Sequence, residues 1–351
     1  MLEIGACGVE IWRRIHEVIH SKLEHVCRHL ASRSHARRAS LVIVASRILR
    51  RNVTLPRRFV ILLSVVSCAF APLGAQRLMT AADLPLLTAP PPDHKIQYGP
   101  GPLQFGNLRL PKRRGPHPVV LFIHGGCWLS QYDIAHVGAF EQALADSGFA
   151  VWSLEYRRVG DDGGGWPGTF TDIARGADHL RVLAPRYALD LSRVVVSGHS
   201  AGGQFALWLA ARSKIPVTSE LYVANPIAVR GVFALAPAPD LESLQASGAC
   251  GNVIGRLMGG SPAEHPDRYA AASPMKLAPI ATPQLLVVGA HDQSWGPVGR
   301  AYYARARAAG DTAVHLLEAS ESGHFEMIAP ATTTWPIIFG SLKTFFARVG
   351  P

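Results

Sequence analysis

Long hydrophobic runs are scarce in this sequence. The most prominent one, residues 59–70 (FVILLSVVSCAF), is too short for a transmembrane helix. A strong charge excess is also missing from most of the chain, because residues 1–58 carry a net charge of +8 and the remaining 293 residues carry only +2. This balance argues against nucleic-acid binding by the folded part. Neither repeats nor low-complexity tracts occur from residue 103 onward, so that region is predicted to form one domain.

The short apolar run fits the hydrophobic part of a secretory signal. Two arginines precede it, and a small-residue cleavage sequence ends at Ala75. We therefore expect residues 53–75 to be a signal peptide, residues 1–52 to be a basic leader from an over-extended gene model, and the mature protein to be exported, either periplasmic or secreted. Alternatively, residues 65–68 (VVSC) resemble a bacterial lipobox, in which case Cys68 would be lipidated and the protein anchored to a membrane.

The basic leader contains one match to a metalloprotease motif. Residues 16–20 (HEVIH) fit H-E-x-x-H, which places two histidines one helical turn apart beside a glutamate base. Such a zinc site needs a third ligand and a packed domain around it. Only Glu24 and His25 are near in sequence, and the segment precedes the expected signal peptide. The match is interpreted as accidental, and neither a metal nor an organic cofactor is expected.

Ser200 lies in the most informative segment, residues 192–203 (SRVVVSGHSAGG). Three valines predict a buried parallel strand, and residues 201–212 predict a helix packed by small residues on its first turn. The G-x-S-x-G pattern between them is typical of a nucleophile elbow, whose glycines let strand and helix approach. Such a turn exposes the serine at the carboxyl edge of the sheet, next to the N–H of Ala201. The alternative is a glycine-rich turn with an idle serine.

A second glycine segment follows an earlier core strand. Residues 119–123 (VVLFI) are uninterruptedly apolar and predict a central parallel strand, and residues 124–128 (HGGCW) come directly after it. Glycines let backbone N–H groups turn inward without side-chain obstruction, which an oxyanion hole requires. An ordinary glycine turn, with Trp128 in simple packing, is the alternative. The position of the segment before the elbow favours the oxyanion hole.

A serine hydroxyl is a weak nucleophile and needs an imidazole base that a carboxylate orients. Asp292 follows the predicted strand 284–288, and His324 follows the predicted strand 314–318. Both positions lie just past the carboxyl end of a strand, where the serine is also expected. Some alternatives stay open, namely Asp240 as the acid, His291 beside the predicted acid, and Glu318 and Glu321 before the predicted base. His199, inside the elbow, is predicted to be structural.

The other elements alternate between helix and strand, which predicts a doubly wound α/β fold. Further strands are predicted at residues 104–110 (antiparallel), 150–154 and 231–235. Helices are predicted at residues 135–147, 170–183, 298–309 and 335–349. Residues 76–102 are predicted to form a linker that becomes an edge strand, and residues 103–351 the main domain. Arg157 is predicted to pair with Asp172.

These motifs together resemble the α/β-hydrolase superfamily, in particular the esterase branch of kynurenine formamidase-like and bacterial feruloyl/acetyl-xylan esterase-like proteins. The resemblance covers about residues 95–350 and rests on four segments: HGGCW (124–128), GHSAGG (198–203), Gly289 with Asp292, and Gly323 with His324. It implies an α/β-hydrolase fold with a mostly parallel eight-stranded sheet, helices on both faces, and a small or absent lid in residues 237–274.

The resemblance also implies site roles. Ser200, Asp292 and His324 would be catalytic, and Gly125, Gly126, Cys127 and Ala201 would supply the oxyanion N–H groups. Trp128 and Trp166 are the candidate substrate-binding residues, with surface packing an equal alternative for Trp166. Cys127 is a departure, since related esterases usually carry glycine at that position and formamidases often an aromatic residue. Cys127 and Cys250 would either form a disulfide in an oxidising compartment or remain buried thiols.

The expected function is hydrolysis of short-chain carboxylic esters through an acyl-enzyme, with a small acyl ester or amide as the substrate, no nucleic-acid partner, and a membrane only if Cys68 is lipidated. Arylformamide hydrolysis is the main alternative, and a prolyl-oligopeptidase-type peptidase is disfavoured because no propeller domain is present. A non-catalytic binding module on the same fold is a further alternative, although such proteins usually lose a triad member. The sequence does not specify the oligomeric state.

Overall fold

An eight-stranded sheet forms the centre of the protein. The computed structural model describes residues 77–349, so the predicted leader, signal peptide, lipobox and HEVIH motif lie outside the described residues. The strand order across the sheet is β1-β2-β4-β3-β5-β6-β7-β8. The strands are β1 (His94–Gln97), β2 (Phe105–Arg109), β3 (His117–Ile123), β4 (Ala150–Leu154), β5 (Leu189–His199), β6 (Gly231–Leu235), β7 (Gln284–Gly289) and β8 (Val314–Ala319).

Strand direction places the polar segments of the sequence together. The pairs β1–β2 and β2–β4 are antiparallel, and all pairs from β4 to β8 are parallel. Every residue of β3 is buried, so both faces of the sheet are covered at its centre. Because the carboxyl ends of parallel strands share one edge, the segments after β3, β5, β7 and β8 meet there. The mostly parallel eight-stranded sheet is therefore confirmed.

Ten α-helices of the described chain pack around this sheet. They are α1 (Gly138–Asp146), α2 (Gly168–Asp178), α3 (Leu180–Tyr187), α4 (Ala201–Ala210), α5 (Leu241–Ala246), α6 (Val253–Met258), α7 (Pro266–Ala272), α8 (Pro274–Leu277), α9 (Gly296–Ala308) and α10 (Trp335–Val349). The elbow helix α4 packs against β3, β5 and β6, which fixes its N-terminus at the sheet edge. Within residues 77–349, no helix combines the length and the apolar character needed to cross a membrane.

Some predicted elements differ in extent. The prediction of one continuous helix over residues 170–183 is wrong, because α2 ends at Asp178 and α3 begins at Leu180. Asp178 accepts hydrogen bonds from the Arg212 guanidinium and from the N–H of Ile227, which holds the chain at the end of α2. The strand before the elbow extends to eleven residues, well beyond the three predicted valines.

The region considered for a lid contains three short helices, α5, α6 and α7, none longer than seven residues. The predicted linker before β2 is more ordered than its composition suggests. It contains a 3-10 helix, Ala81–Leu86, and then the edge strand β1.

Candidate active site

Ser200 occupies a sharp turn between β5 and α4. Its backbone has φ 58° and ψ −118°, a conformation that non-glycine residues rarely adopt and that is maintained only by surrounding contacts. Two glycines make the turn possible. A Cβ on Gly198 would lie 2.2 Å from the carbonyl oxygen of Gly202, and a Cβ on Gly202 would lie 2.0 Å from that of Ile123. The strand and the helix therefore approach closely only because both positions lack a side chain.

His324 and Asp292 form a direct hydrogen bond. The Nδ1 of His324 lies 2.7 Å from Oδ2 of Asp292, while Oδ1 of Asp292 accepts the backbone N–H groups of Ser294 (3.2 Å) and Trp295 (2.9 Å). The aspartate side chain is buried, and the histidine is only slightly exposed. The two turns after β7 and β8 thus meet at the sheet edge, and the carboxylate fixes the orientation of the imidazole.

The environment of Asp292 keeps its carboxyl group ionised. Burial alone would raise its pKa, but the hydrogen bond and charge of His324 and the backbone N–H groups of Trp295 and Ser294 outweigh burial. The pKa of Asp292 therefore lies below its usual value. A carboxylate in this state accepts the Nδ1–H of His324 and leaves Nε2 of that ring as the proton acceptor.

The ring of His199 contacts the loop that carries His324. Its Nε2 lies 2.9 Å from the backbone carbonyl oxygen of His324, and the two rings lie 4.5 Å apart between centroids. Because a carbonyl only accepts hydrogen bonds, Nε2 of His199 carries the proton. Burial, followed by the neighbouring His324, lowers the pKa of His199 well below its usual value, so the ring is neutral. The structural role predicted for His199 agrees with these contacts.

The HGGCW segment wraps around Ser200. A Cβ on Gly125 would lie 2.7 Å from the carbonyl oxygen of His199 and 3.1 Å from the Cβ of Ser200. Gly126 and Cys127 both have positive φ, 107° and 53°. The first helical residue, Ala201, follows the serine directly. The four backbone N–H donors expected for an oxyanion hole thus lie on two segments that flank the serine.

Cys127 is covalently tied to the helical insertion. It forms a disulfide with Cys250, with the two Cα atoms 5.9 Å apart, across a sequence separation of 123 residues. Of the two possibilities that the sequence left open for these cysteines, the structure has the disulfide. The bond joins the HGGCW segment to the loop between α5 and α6, so it restrains the backbone beside Ser200.

His124, the first residue of the HGGCW segment, belongs to a buried network with Glu155 and Arg158. The Nε2 of His124 lies 3.1 Å from Oε1 of Glu155, and Arg158 donates to the same oxygen at 2.9 Å. Burial would raise the pKa of Glu155, but His124 and Arg158 lower it below its usual value. Nearby, the predicted pairing of Arg157 with Asp172 is confirmed at 2.7 Å.

A small cavity of about 100 Å³ lies at Ser200. Ser200 and His324 both line it, so the nucleophile and base candidates face the same space. It is lined by Ala81, Leu84, Gly126, Cys127, Tyr132, His136, His199, Ser200, Trp295, His324 and Phe325. Six of these residues lie in no recognisable motif, so the sequence did not identify them as cavity residues: Ala81, Leu84, Tyr132, His136, Trp295 and Phe325.

The two tryptophans expected to bind substrate do not line this cavity. Trp128 is fully buried, and its indole N–H donates to Oε1 of Gln204 at 3.2 Å, so it belongs to the core. Trp166 donates to Glu220 at 2.9 Å and packs against Phe170. Its contacts correspond to the packing alternative.

The alternative acid and base candidates have other partners. Asp240 caps the N-terminus of α5 by accepting the N–H of Ser243 at 3.2 Å. Glu318 pairs with Arg300 at 3.0 Å. His291 and Glu321 are exposed. No group of three or more His, Cys, Asp or Glu side chains within residues 77–349 is arranged to hold a metal ion.

His136 is a titratable cavity residue without a sequence signal. Burial, followed by the neighbouring His124, lowers its pKa to about 4. Its ring lies 5.6 Å from that of His124, edge to face. The 3-10 helix Ile134–Val137 positions it, and Asp133 caps that helix by accepting the N–H of Ala135. The imidazole is therefore neutral at physiological pH and faces the same cavity as Ser200.

Comparison with known proteins gives a consistent set of relatives. The family model described as BD-FAE matches residues 107–297. Esterase LipC of Mycobacterium tuberculosis is 25% identical over 248 residues, which cover 68% of this chain and 61% of LipC. Chlorophyllase type 0 of Chenopodium album is 34% identical over 137 residues, covering 35% of this chain and 38% of that protein. The chain thus spans less than two thirds of the length of these curated relatives.

Solved structures share the architecture. Esterase B from Lactobacillus rhamnosis superposes with a TM-score of 0.63 at 21% identity, covering 82% of this chain and 94% of that one. A bacterial heroin esterase superposes with a TM-score of 0.56 at 23% identity, covering 70% and 80% respectively. At 21% and 23% identity, these superpositions establish the fold of this chain.

Proposed function

Since the chain belongs to the BD-FAE family of α/β-hydrolases, we propose that it is a serine esterase that cleaves small carboxylic esters through an acyl-enzyme. One observation carries the proposal: Ser200 and His324 line one cavity, and Nδ1 of His324 lies 2.7 Å from Oδ2 of Asp292. The names of similar proteins, which include LipC and esterase B, agree with an esterase.

The mechanism follows from the roles that these side chains can take. The Oγ of Ser200 attacks the ester carbonyl carbon while Nε2 of His324 accepts the hydroxyl proton, and Asp292 stabilises the resulting imidazolium. The tetrahedral intermediate collapses, the C–O bond to the alcohol breaks, and His324 gives its proton to the leaving alkoxide. Water then attacks the acyl-Ser200 ester while His324 accepts its proton, the bond from the acyl carbon to Oγ breaks, His324 returns the proton to Oγ of Ser200, and the carboxylic acid leaves.

Backbone N–H groups would stabilise the negative oxygen of both tetrahedral intermediates. Ala201, at the N-terminus of α4, supplies one donor, and Gly125, Gly126 and Cys127 supply the others. The lack of space for a side chain at Gly125, beside Ser200, and the disulfide at Cys127 keep these donors fixed before substrate arrives. Donors that need no reorganisation during the reaction are the most effective ones.

The size of the cavity favours short acyl groups. The cavity at Ser200 has a volume of about 100 Å³, which is small beside the roughly 300–1,000 Å³ of pockets that hold drug-sized ligands. Acetyl to butyryl groups match this volume. Small soluble esters are therefore the proposed substrates, in preference to long-chain lipids.

We also propose that the protein is exported. The apolar run at residues 59–70 with its small-residue cleavage sequence supports a signal peptide. The Cys127–Cys250 disulfide adds support from a different part of the chain, since such bonds persist mainly in oxidising compartments. N-terminal sequencing of the native product would test this: a start at Gln76 is expected, a lipidated Cys68 would indicate the anchored form, and a start before residue 50 would contradict cleavage.

Steady-state hydrolysis tests the proposed activity. The full chain would be assayed with p-nitrophenyl acetate, butyrate and octanoate and, separately, with N-formylkynurenine, with Ser200→Ala as the control. Ester turnover that falls to background in Ser200→Ala is expected. Preferential turnover of the formamide would instead indicate an arylformamidase, and activity that is unchanged in Ser200→Ala would contradict the serine mechanism.

A further inference from the structure

The segment of residues 77–92, which we call the strap, crosses the front of the active site and is fastened at both ends. At its start, the N–H of Met79 donates to Oε1 of Glu326, whose Oε2 accepts the N–H of Gly323 at 2.9 Å. Glu326 is buried, so its hydrogen bond with Gly323 is shielded from water, and its hydrogen bond with Met79 is partly shielded. One carboxylate therefore connects the strap to the loop that carries His324.

At the other end of the strap, a buried arginine holds two proline carbonyls. Arg109 donates to the oxygens of Pro90 (2.9 Å) and Pro91 (3.2 Å), and its Nε lies 3.3 Å from a carboxylate oxygen of Glu141. Hydrogen bonds from a charged donor are among the stronger ones in proteins. The strap therefore spans the site between two fixed points.

Between these points, the 3-10 helix Ala81–Leu86 separates two spaces. On one side is the cavity of about 100 Å³ at Ser200, and on the other is a groove of about 1060 Å³. Four residues line both spaces: Ala81, Leu84, Tyr132 and His136. The small cavity and the large groove therefore adjoin at the strap.

Leu84 is the buried side chain of the strap helix. It is 5% exposed, whereas Leu86, two residues later on the same helix, is 76% exposed. The groove beyond Leu84 is partly apolar, and the strap itself contributes Pro85 and Leu87 to its wall. A hydrocarbon chain that passed Leu84 would therefore meet apolar surface.

Building on the esterase activity proposed above, we propose that Leu84 is a specificity-determining residue that closes the Ser200 cavity toward the groove and limits the acyl group to short chains. Truncation of this side chain opens the cavity into the groove. Each additional buried methylene then contributes about a fourfold gain in kcat/KM. In the wild-type protein a longer acyl chain has no access to the groove, so its kcat/KM does not rise with each added methylene.

The test compares acyl-chain profiles in matched variants of the full chain. We would measure kcat/KM for p-nitrophenyl acetate, butyrate, hexanoate and octanoate with wild type, Leu84→Ala and, as the matched control, Leu86→Ala. The hexanoate-to-acetate ratio is expected to rise at least about tenfold in Leu84→Ala, from two or more newly buried methylenes. In Leu86→Ala it is expected to stay within about twofold, because that side chain faces solvent.

A second variant keeps the test decisive if Leu84→Ala folds poorly. Leu84→Phe enlarges the same side chain and is expected to lower the butyrate-to-acetate ratio, the opposite direction. Profiles that are parallel in wild type, Leu84→Ala and Leu84→Phe would overturn the assignment of Leu84 while leaving the esterase activity intact. Absence of any Ser200-dependent ester turnover in the wild type would instead overturn the proposed function on which the assignment rests.

Discussion

The Oδ2 atom of Asp292 lies 2.7 Å from Nδ1 of His324, and this contact joins the turns after two neighbouring parallel strands. The same carboxylate is fixed by two backbone N–H groups, so its position does not depend on the histidine alone. The contact sets both the tautomer and the orientation of the His324 imidazole, which lines the same cavity as Ser200.

Replacing this carboxylate by an amide tests its role. Asp292→Asn is expected to lower kcat on p-nitrophenyl acetate by about 10⁴-fold, because an amide stabilises the wrong imidazole tautomer and no longer balances the imidazolium. The matched control is Asp240→Asn, at the alternative acid, which caps α5 and has no contact with His324 in the structure. A large loss of kcat in Asp240→Asn with normal activity in Asp292→Asn would reverse the assignment.

Opposite effects on stability are expected for alanine substitutions at an elbow glycine, Gly202, and at an exposed helix glycine, Gly340. Gly202→Ala brings a Cβ to 2.0 Å from a backbone oxygen, and we expect it to lower the free energy of unfolding by at least about 3 kcal/mol. Gly340→Ala, in helix α10, meets no atom within 4 Å and is expected to raise it by about 0.5–1 kcal/mol. Urea denaturation measures both values. A tolerated Gly202→Ala would contradict the close packing of strand and helix.

The Cys127–Cys250 disulfide predicts a joint loss of stability and activity. The Cys127→Ser/Cys250→Ser double variant is expected to lose about 2–5 kcal/mol in free energy of unfolding and to have a lower kcat, because Cys127 belongs to the HGGCW segment for which we propose an oxyanion hole. Wild type treated with reductant should resemble this variant. Reductant should leave the double variant unchanged, which serves as the control, and a wild type that is insensitive to reductant in both readouts would argue against the disulfide.

His136 predicts a pH dependence of stability. Its pKa is lowered to about 4 in the folded state, against about 6.5 when unfolded. Between these values the unfolded chain binds a proton that the folded chain does not, so stability is present above pH 6.5 and is lost as the pH falls toward 4. This group alone is expected to account for about 2 kcal/mol of the loss between pH 7 and pH 5.

Unfolding midpoints of wild type and His136→Gln over pH 4–7 measure this contribution. The variant is expected to show a shallower decline than wild type. His315→Gln, on an exposed position of β8, is the matched control and should keep the wild-type slope. Equal slopes in wild type and His136→Gln would contradict a partly buried, neutral His136.

The candidate site residues that follow the ends of strands could be predicted from the sequence. Ser200, Asp292 and His324 each lie within five residues after the end of a parallel strand, β5, β7 and β8 respectively. Parallel strands bring such positions to one edge irrespective of loop detail. The structure places Asp292 and His324 in contact there, as the strand positions predict. Local patterns of this kind need no knowledge of long-range packing.

The walls of the cavity could not be predicted in the same way. Leu84 lies in a proline-rich segment that composition identifies only as a linker, and its burial depends on anchors as distant in sequence as Glu326. Trp128 is the last residue of the HGGCW segment, yet its side chain points into the core toward Gln204. Side-chain direction after a turn with positive φ does not follow strand alternation.

Covalent labelling of Ser200 is the most direct test of the central claim. The full chain would be treated with a p-nitrophenyl alkylphosphonate, and the phosphonylated residue and the loss of ester hydrolysis would be followed together by peptide mass spectrometry and activity. We expect one phosphonyl group per chain, located on Ser200, with hydrolysis lost in proportion and no label in Ser200→Ala. Label on another residue, or hydrolysis that persists after Ser200 is fully modified, would contradict the acyl-enzyme mechanism.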